Sequence, residues 1–239
     1  MIIKGIQAQR MNYKDAVKYL NDLCFDSDIT LMPEKWITER LNNENIENII
    51  NILIEKSRNK TIVPGSFSFI DEKLFNRSYI ISDGALIGYQ DKINLYMGES
   101  IYYNPGNKIN VFETMHGKIG IAICYDLDFP YYAKILIKKG ASLILNPSLI
   151  RYEFHNEWHL YVESRSLENR IPVISVNSVS DDFKGDSIAA VPYKYKYGVK
   201  IKTFCEKNRD LIIDLKDILY DEIKKRINED NGIYDFIPP

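Results

Sequence analysis

The sequence predicts an α/β fold in which two mixed β-sheets pack together and helices cover their outer faces. Short β-branched runs alternate with amphipathic stretches of helical period along most of the chain, and two hairpin patterns interrupt this alternation. The 239 residues can bury a large core, and no repeat or linker-like stretch divides them. We therefore expect a single domain over residues 1–239.

The first quarter of the chain alternates strand and helix. Helices are expected where apolar residues recur at every third or fourth position, as at Ile46, Ile49 and Ile50. Pro33 ends the second strand, so Glu34 lies just past a carboxyl end, where α/β sheets place their chemistry. The predicted elements are a strand from Ile2 to Ala8, a helix from Asn12 to Phe25, a strand from Asp28 to Met32, a helix from Glu44 to Arg58 and a strand from Thr61 to Gly65.

A hairpin then leads to a lysine. Asp83-Gly84 is a favoured two-residue turn, and it joins a strand from Tyr79 to Ser82 to a strand from Ala85 to Tyr89. Lys92 follows the second of these strands directly. It is therefore a second charged residue at the end of a strand.

Another hairpin ends in a candidate nucleophile. Its strands, Val111 to Met115 and Lys118 to Cys124, lead into a helix that we expect Asp128 to cap, with Pro130 in the first turn. Cys124 then stands at a strand-to-helix elbow, where backbone N–H groups favour an oxyanion and lower a thiol pKa. The alternative is that Cys124 is a buried small hydrophobic residue, as most free cysteines in strands are.

The rest of the chain returns to alternating elements. Lys138-Lys139-Gly140 ends the helix after the elbow with cationic side chains and a glycine. The predicted elements that follow are a strand from Ala141 to Leu145, a helix from Glu157 to Asn169, strands from Ile171 to Val176, Ser187 to Ala190, Lys200 to Cys205 and Asp210 to Asp214, and a helix from Lys216 to Ile227.

Composition narrows the possible partners. The net charge of -2 and the pI of about 6.0 give no electrostatic basis for binding nucleic acid or an anionic membrane. We find no leader pattern and no apolar stretch of bilayer length. The three cysteines are widely spaced and odd in number, which is typical of reduced thiols rather than of a disulfide framework. We expect a soluble, cytoplasmic protein.

The histidines offer no base for a thiol. His116 precedes Cys124 by eight positions of one strand, which corresponds to about 26 Å. His155 and His159 lie one helical turn apart with Glu157 between them, but this order is not the zincin arrangement and no third ligand follows. Polar packing is the favoured interpretation of the pair, and we expect no metal.

Carboxylates and lysines at strand ends are the remaining candidates. Glu34 could deprotonate the thiol, and Lys92 could stabilise the oxygen of a tetrahedral intermediate. Each alone is more often a solvated charge. Their occurrence together, at the ends of strands, is what suggests catalysis.

Three segments of the sequence resemble motifs of the carbon-nitrogen hydrolase (nitrilase) superfamily. Leu31-Met32-Pro33-Glu34 resembles the segment that carries its general base, and Tyr89-Gln90-Asp91-Lys92-Ile93-Asn94-Leu95 resembles its lysine segment, with Asn94 where histidine is usual. Gly120 to Asp126, followed by Phe129-Pro130, resembles its nucleophile segment. Glu99 falls where many members have a glutamate that orients the lysine.

The resemblance implies a fold, an assembly and an activity. The fold is a four-layer α-β-β-α sandwich, and the assembly is a homodimer or a higher homo-oligomer. The apolar tail from Ile233 to Pro239 is expected to pack against a partner subunit. The activity is hydrolysis of a small amide or carbamoyl amine through a thioester, by the triad Glu34, Lys92 and Cys124 with Glu99 and the Tyr125 N–H in support. No cofactor is implied.

The substrate and two other functions remain open. Tyr125-Asp126 after the cysteine resembles the amidase and carbamoylase branches more than the true nitrilases, which favours an amide over a nitrile. Asp128, Tyr131 and the run from Tyr193 to Tyr197 depart from the pattern that is frequent in the superfamily, so the specificity of no one branch is carried over. The acyl pocket is expected from the loops 66–76, 96–107 and 150–157. Nitrile hydrolysis or acyl transfer by the same triad, and a catalytically silent dimeric scaffold, are the alternatives.

Overall fold

The structure is a computed structural model, and it describes residues 1–180 and 182–230. Strands and helices alternate much as the sequence patterns predict. The elements in chain order are β1 (Ile2–Gly5), α1 (Tyr13–Asp22), β2 (Ile29–Leu31), β3 (Arg40–Leu41), α2 (Asn43–Lys56), β4 (Thr61–Val63), β5 (Ser66–Asp71), β6 (Lys73–Ser82), β7 (Ala85–Asp91), β8 (Val111–Thr114), β9 (Gly117–Ile121), α3 (Pro130–Lys138), β10 (Leu143–Pro147), α4 (His155–Asn169), β11 (Val173–Val176), β12 (Ser187–Tyr195), β13 (Gly198–Glu206), β14 (Leu211–Asp214) and α5 (Tyr220–Glu229).

Local chemistry fixes the starts of the first two helices. Asn12 caps α1 by accepting a hydrogen bond from the backbone N–H of Asp15. Asn42 and Asn45 cap α2 reciprocally, each side chain accepting from the other residue's backbone N–H. These caps explain why both helices begin close to the positions that the sequence predicts.

Both sheets are mixed. In the first, the strand order is β14-β1-β2-β4-β6-β5-β3, and β7 pairs antiparallel with the long strand β6 as well. In the second, the order is β13-β12-β11-β10-β9-β8. The parallel pairs β1–β2, β2–β4 and β9–β10 bring several carboxyl ends to the same region of the molecule.

Three apolar clusters define four layers. One lies between the sheets and joins residues such as Ile3 and Leu31 of the first sheet to Ile121 and Leu145 of the second. Another packs α1 and α2 against the first sheet, and a third packs α3, α4 and α5 against the second. The predicted α-β-β-α sandwich is confirmed. Within the described residues, no helix is long and apolar enough to cross a membrane.

Two local predictions are wrong. The segment expected as a pocket loop over residues 66–76 forms β5 and the start of β6, because β5 pairs with both β3 and β6 and buries its first four residues. Asp128 does not cap the helix after the elbow. Asp128 instead ends a 3₁₀-helix over Cys124–Asp128. The extended residue Phe129 separates that helix from α3, so Phe129 takes the cap position and offers no side-chain hydrogen bond.

Candidate active site

The structure places Cys124 at the predicted elbow. The backbone of Cys124 adopts φ +45°, a left-handed conformation that is uncommon outside glycine and asparagine. The side chain of Asn146, on β10, holds the turn by donating hydrogen bonds to the carbonyls of Ala122 (2.6 Å) and Cys124 (3.3 Å). The strained position aims the sulfur away from the strand, toward the ends of the neighbouring elements.

Glu34 lies beside this elbow because Pro33 turns the chain after β2. Its backbone N–H donates to the Ser148 carbonyl at 3.1 Å, which ties the two sheets together at this point. The Glu34 side chain is only 2% exposed. Asn76 of β6 donates to Glu34 Oε1 at 2.6 Å, so the carboxylate is held in one orientation.

Lys92 follows β7 and is fully enclosed, with 1% of its surface exposed. Its Nζ donates to Glu34 Oε1 at 3.0 Å and to Glu99 Oε2 at 2.8 Å. Burial alone would lower the pKa of Lys92, but the charges of Glu34, Cys124 and Glu99 outweigh burial and raise it. Lys92 is therefore a permanently charged, buried cation, and it is close enough to Cys124 for the two groups to interact electrostatically.

Glu99 connects this lysine to a second one. Its Oε1 accepts from Lys35 Nζ at 2.6 Å, and its Oε2 also accepts from the Tyr96 N–H at 2.9 Å. Burial opposes ionisation, but the charges of Lys92 and Lys35 lower the pKa of Glu99 to about 2. Two carboxylates and two ammonium groups thus alternate, and the cluster carries no net charge. The sequence prediction did not include Lys35, although its position next to the proposed base was a usable signal.

The thiol of Cys124 is buried beside the Glu34 carboxylate. Glu34 and the backbone N–H of Leu149 both lie within hydrogen-bonding reach of the sulfur. Burial and the negative charge of Glu34 raise the pKa of this thiol, and only part of that effect is offset by Lys92. The expectation of a lowered pKa at the elbow is wrong for the resting protein. A protonated thiol with a carboxylate beside it requires proton transfer during attack, rather than a preformed thiolate.

Asp126 is a further buried residue that the sequence prediction did not single out. Its carboxylate accepts hydrogen bonds from the backbone N–H groups of Asn94 (2.7 Å), Ile93 (3.2 Å) and Ile123 (3.3 Å). Burial raises the pKa of Asp126 to about 7 against the effect of these donors. Because Ile93 follows Lys92 and Ile123 precedes Cys124, Asp126 fixes the lysine loop to the elbow.

The two histidines of α4 both contact Asp186. His155 Nδ1 lies 3.2 Å from Asp186 Oδ2, and His159 Nε2 lies 3.0 Å from the Asp186 carbonyl oxygen. Among residues 1–180 and 182–230, no group of three or more His, Cys, Asp or Glu side chains could hold a metal ion. The favoured polar-packing interpretation of this pair agrees with these contacts.

A cavity of about 330 Å³ opens beside Cys124. Two of the three predicted segments, 96–107 and 150–157, contribute to its lining. Tyr125 also lines it and packs edge-on against Tyr96, with ring centroids 5.0 Å apart. The remaining predicted segment supplies Asn76 behind Glu34 rather than a wall of this cavity.

The chain is similar in sequence to known carbon-nitrogen hydrolases. The sequence model of the carbon-nitrogen hydrolase family matches residues 26–194. The omega-amidase NIT3 of Saccharomyces cerevisiae is 29% identical over 169 residues, which cover 63% of this chain and 57% of that protein. The chain spans 39%, 57% and 65% of the length of three curated relatives that it matches.

Solved structures share the fold over nearly the whole chain. The crystal structure of Saccharomyces cerevisiae Nit3, a member of branch 10 of the nitrilase superfamily, superposes with a TM-score of 0.77 at 22% identity, over 95% of this chain and 94% of that one. A mutant amidase from Nesterenkonia sp. AN1, with acrylamide added to its active-site cysteine, has a TM-score of 0.73 at 17% identity, over 96% and 99% of the chains.

Proposed function

The chain belongs to the carbon-nitrogen hydrolase family, and we propose that it hydrolyses the carbon–nitrogen bond of a small amide or carbamoyl amine through a thioester on Cys124. The observation that carries the proposal is the buried contact of Glu34 with Lys92, at 3.0 Å, beside the Cys124 thiol. Removing each of these charged groups from water costs on the order of several kcal/mol unless the charges are paired. A site that keeps them next to a strained cysteine is better explained by chemistry than by stability.

The reaction begins with transfer of the thiol proton. Glu34 takes this proton while the sulfur attacks the amide carbonyl carbon, so that a carbon–sulfur bond forms and the carbonyl electron pair moves to oxygen. Lys92 and the Tyr125 N–H stabilise that oxyanion. When the intermediate collapses, the carbon–nitrogen bond breaks and Glu34 returns the proton to the departing nitrogen.

Hydrolysis of the thioester completes the cycle. Water gives a proton to Glu34 as its oxygen attacks the thioester carbon. The carbon–sulfur bond then breaks, the acid leaves, and the sulfur regains its proton from Glu34. One carboxylate thus serves both halves of the reaction, which is consistent with its enclosure by Asn76 and Lys92. No cofactor takes part in these steps.

The test is release of ammonia or amine across a panel of amides, carbamoyl amines and nitriles. We expect turnover of amides or carbamoyl amines, and none with Cys124→Ala. Faster turnover of nitriles than of amides would identify nitrile hydrolysis as the activity instead. Equal signals from wild type and Cys124→Ala would remove the enzymatic proposal and favour the silent scaffold.

We further propose a cytoplasmic homodimer built from single-domain subunits. Leu160 and Leu167 lie two turns apart on one face of α4 and are 63% and 47% exposed, as expected for a helix that packs against a second subunit. The tail from Ile233 to Pro239 lies outside the described residues. Light scattering at micromolar concentration tests the assembly, and a monomer mass near the 27.9 kDa of the chain would contradict it.

A further inference from the structure

The cavity beside Cys124 contains an acidic side chain with one buried oxygen that accepts no hydrogen bond. Asp128 is the last residue of the 3₁₀-helix that begins at Cys124, and it lines the cavity. Its Oδ1 is buried and accepts no hydrogen bond. Burial raises the pKa of Asp128 to about 6, so the carboxylate is still mostly ionised at pH 7.5. A buried anionic oxygen of this kind is suited to a donor that a ligand brings.

The two cations whose charges act on Asp128, Arg165 and Lys92, donate their hydrogen bonds to other groups. Arg165 donates to the backbone carbonyls of Leu127 (2.9 Å) and Asp128 (2.5 Å) and to the Glu168 carboxylate (2.8 Å). Lys92 hydrogen-bonds the two glutamates of the catalytic cluster. These contacts hold the backbone at Asp128 in place but leave its side-chain oxygen without a donor.

The charged side chains at the rim of the cavity do not provide a cation for Asp128 either. Arg151 lines the cavity, but its guanidinium pairs with Glu153 at 3.0 Å and with Asp182 at 3.2 Å. Glu157 also contributes to the lining and adds a second carboxylate. The charged side chains around the opening therefore favour a cation over an anion.

Aromatic side chains make up much of the remaining wall. Aromatic faces attract an ammonium group by about 0.5 to 2 kcal/mol each, depending on how far the pair is shielded from water. A carboxylate among aromatic rings is a common arrangement for binding alkylammonium ions. The aromatic residues that line the cavity are Tyr96, Tyr125, Phe154, Trp158 and Tyr161.

We propose that Asp128 binds an ammonium group of the substrate, so that the protein acts on amides or carbamoyl amines that carry an alkylammonium group. This inference rests on the proposed function. Asp128 follows Cys124 by four residues of a 3₁₀-helix, a separation of about 8 Å along the axis. A spacer of roughly four methylene groups between the carbonyl and the ammonium is of the same order as this separation along the backbone.

The first experiment compares substrates of equal shape and different charge. 5-Aminopentanamide, hexanamide and adipic acid monoamide place the charge, or its absence, on the acyl side. Carbamoyl-1,4-diaminobutane and pentylurea place it on the leaving amine. We expect kcat/KM to be at least about 10-fold higher for one of the cationic compounds than for its neutral isostere. In Asp128→Asn that preference should fall about 10- to 100-fold, mainly through KM, whereas Glu113→Gln, an exposed residue on β8, should keep it.

Equal kcat/KM for cationic and neutral compounds, a preference for the anionic amide, or a preference that survives in Asp128→Asn would overturn the inference and leave the proposed function intact. A binding measurement separates the two claims if no compound is turned over. Calorimetry with pentylamine and with hexanoate should show binding of the amine alone, weakened at least about 10-fold by Asp128→Asn. No difference between the two compounds would overturn the assignment of Asp128 whatever the activity.

Discussion

Replacing Glu99 with glutamine tests the charge balance of the buried cluster. Glu99 contacts Lys92 at 2.8 Å and Lys35 at 2.6 Å. Its pKa is lowered from 4.5 to about 2, so its ionisation stabilises the folded state by about 3 kcal/mol at neutral pH. A glutamine keeps the shape and the acceptor for the Tyr96 N–H but removes the charge. We therefore expect Glu99→Gln to lower the free energy of unfolding by about that amount at pH 7.

The pH dependence of this loss follows from the direction of the pKa change. A carboxyl whose folded-state pKa is lowered stabilises the protein above its unfolded pKa, and this contribution disappears as pH falls from 4.5 toward 2. The difference between wild type and Glu99→Gln should therefore shrink to roughly half its neutral value at pH 3. Urea unfolding at both pH values measures it, with Glu113→Gln as a control that should stay within about 0.5 kcal/mol of wild type.

The same variant should lose activity, because Lys92 loses one of the two carboxylates that position it. A displacement of about 1 Å at a reacting group can cost about 100-fold in rate. The reasoning would be refuted by a stability loss below about 1 kcal/mol at pH 7, or by a loss that is the same at pH 7 and pH 3. A stable Glu99→Gln protein with unchanged kcat would refute the positioning role.

Three further variants test other contacts of the site. Cys124→Ala should abolish turnover but keep the circular dichroism spectrum and urea midpoint of wild type, so residual turnover would count against the nucleophile. Asn76→Ala removes the 2.6 Å hydrogen bond to Glu34 and should lower kcat about 10-fold; an unchanged kcat would mean that Lys92 alone orients the base. Asp126→Ala leaves three backbone N–H groups without acceptors and should lower the free energy of unfolding by about 2 to 4 kcal/mol in urea, whereas a loss below about 1 kcal/mol would show that water replaces the carboxylate.

Patterns of local sequence were enough to predict most of the fold. The strand at Thr61, the hairpin across Asp83-Gly84 and the helix that begins at Pro130 all depend on neighbouring residues, and the structure contains them. The segment 66–71 was missed because its strand is stabilised by pairing with residues far along the chain. Periodicity within a single segment does not report such pairing.

The candidate site was predictable in its parts but not in its connections. Strand-end positions and motif resemblance identified Glu34, Lys92 and Cys124, and the structure brings them together. The direction of the Cys124 pKa shift depends on how far the thiol is buried and how near Glu34 lies, which no local pattern contains. The tie made by Asp126 is equally non-local, since it joins loops that are separated by about thirty residues.

The most direct test of the central claim is detection of the acyl-enzyme. A substrate amide mixed with wild-type protein and quenched in acid within milliseconds should give an intact-protein mass increased by the acyl group. Peptide mapping should place that increase on Cys124, and ammonia or amine should appear in a burst of one equivalent. Turnover at an undiminished rate in Cys124→Ala, or an acyl group found on another residue, would contradict the account.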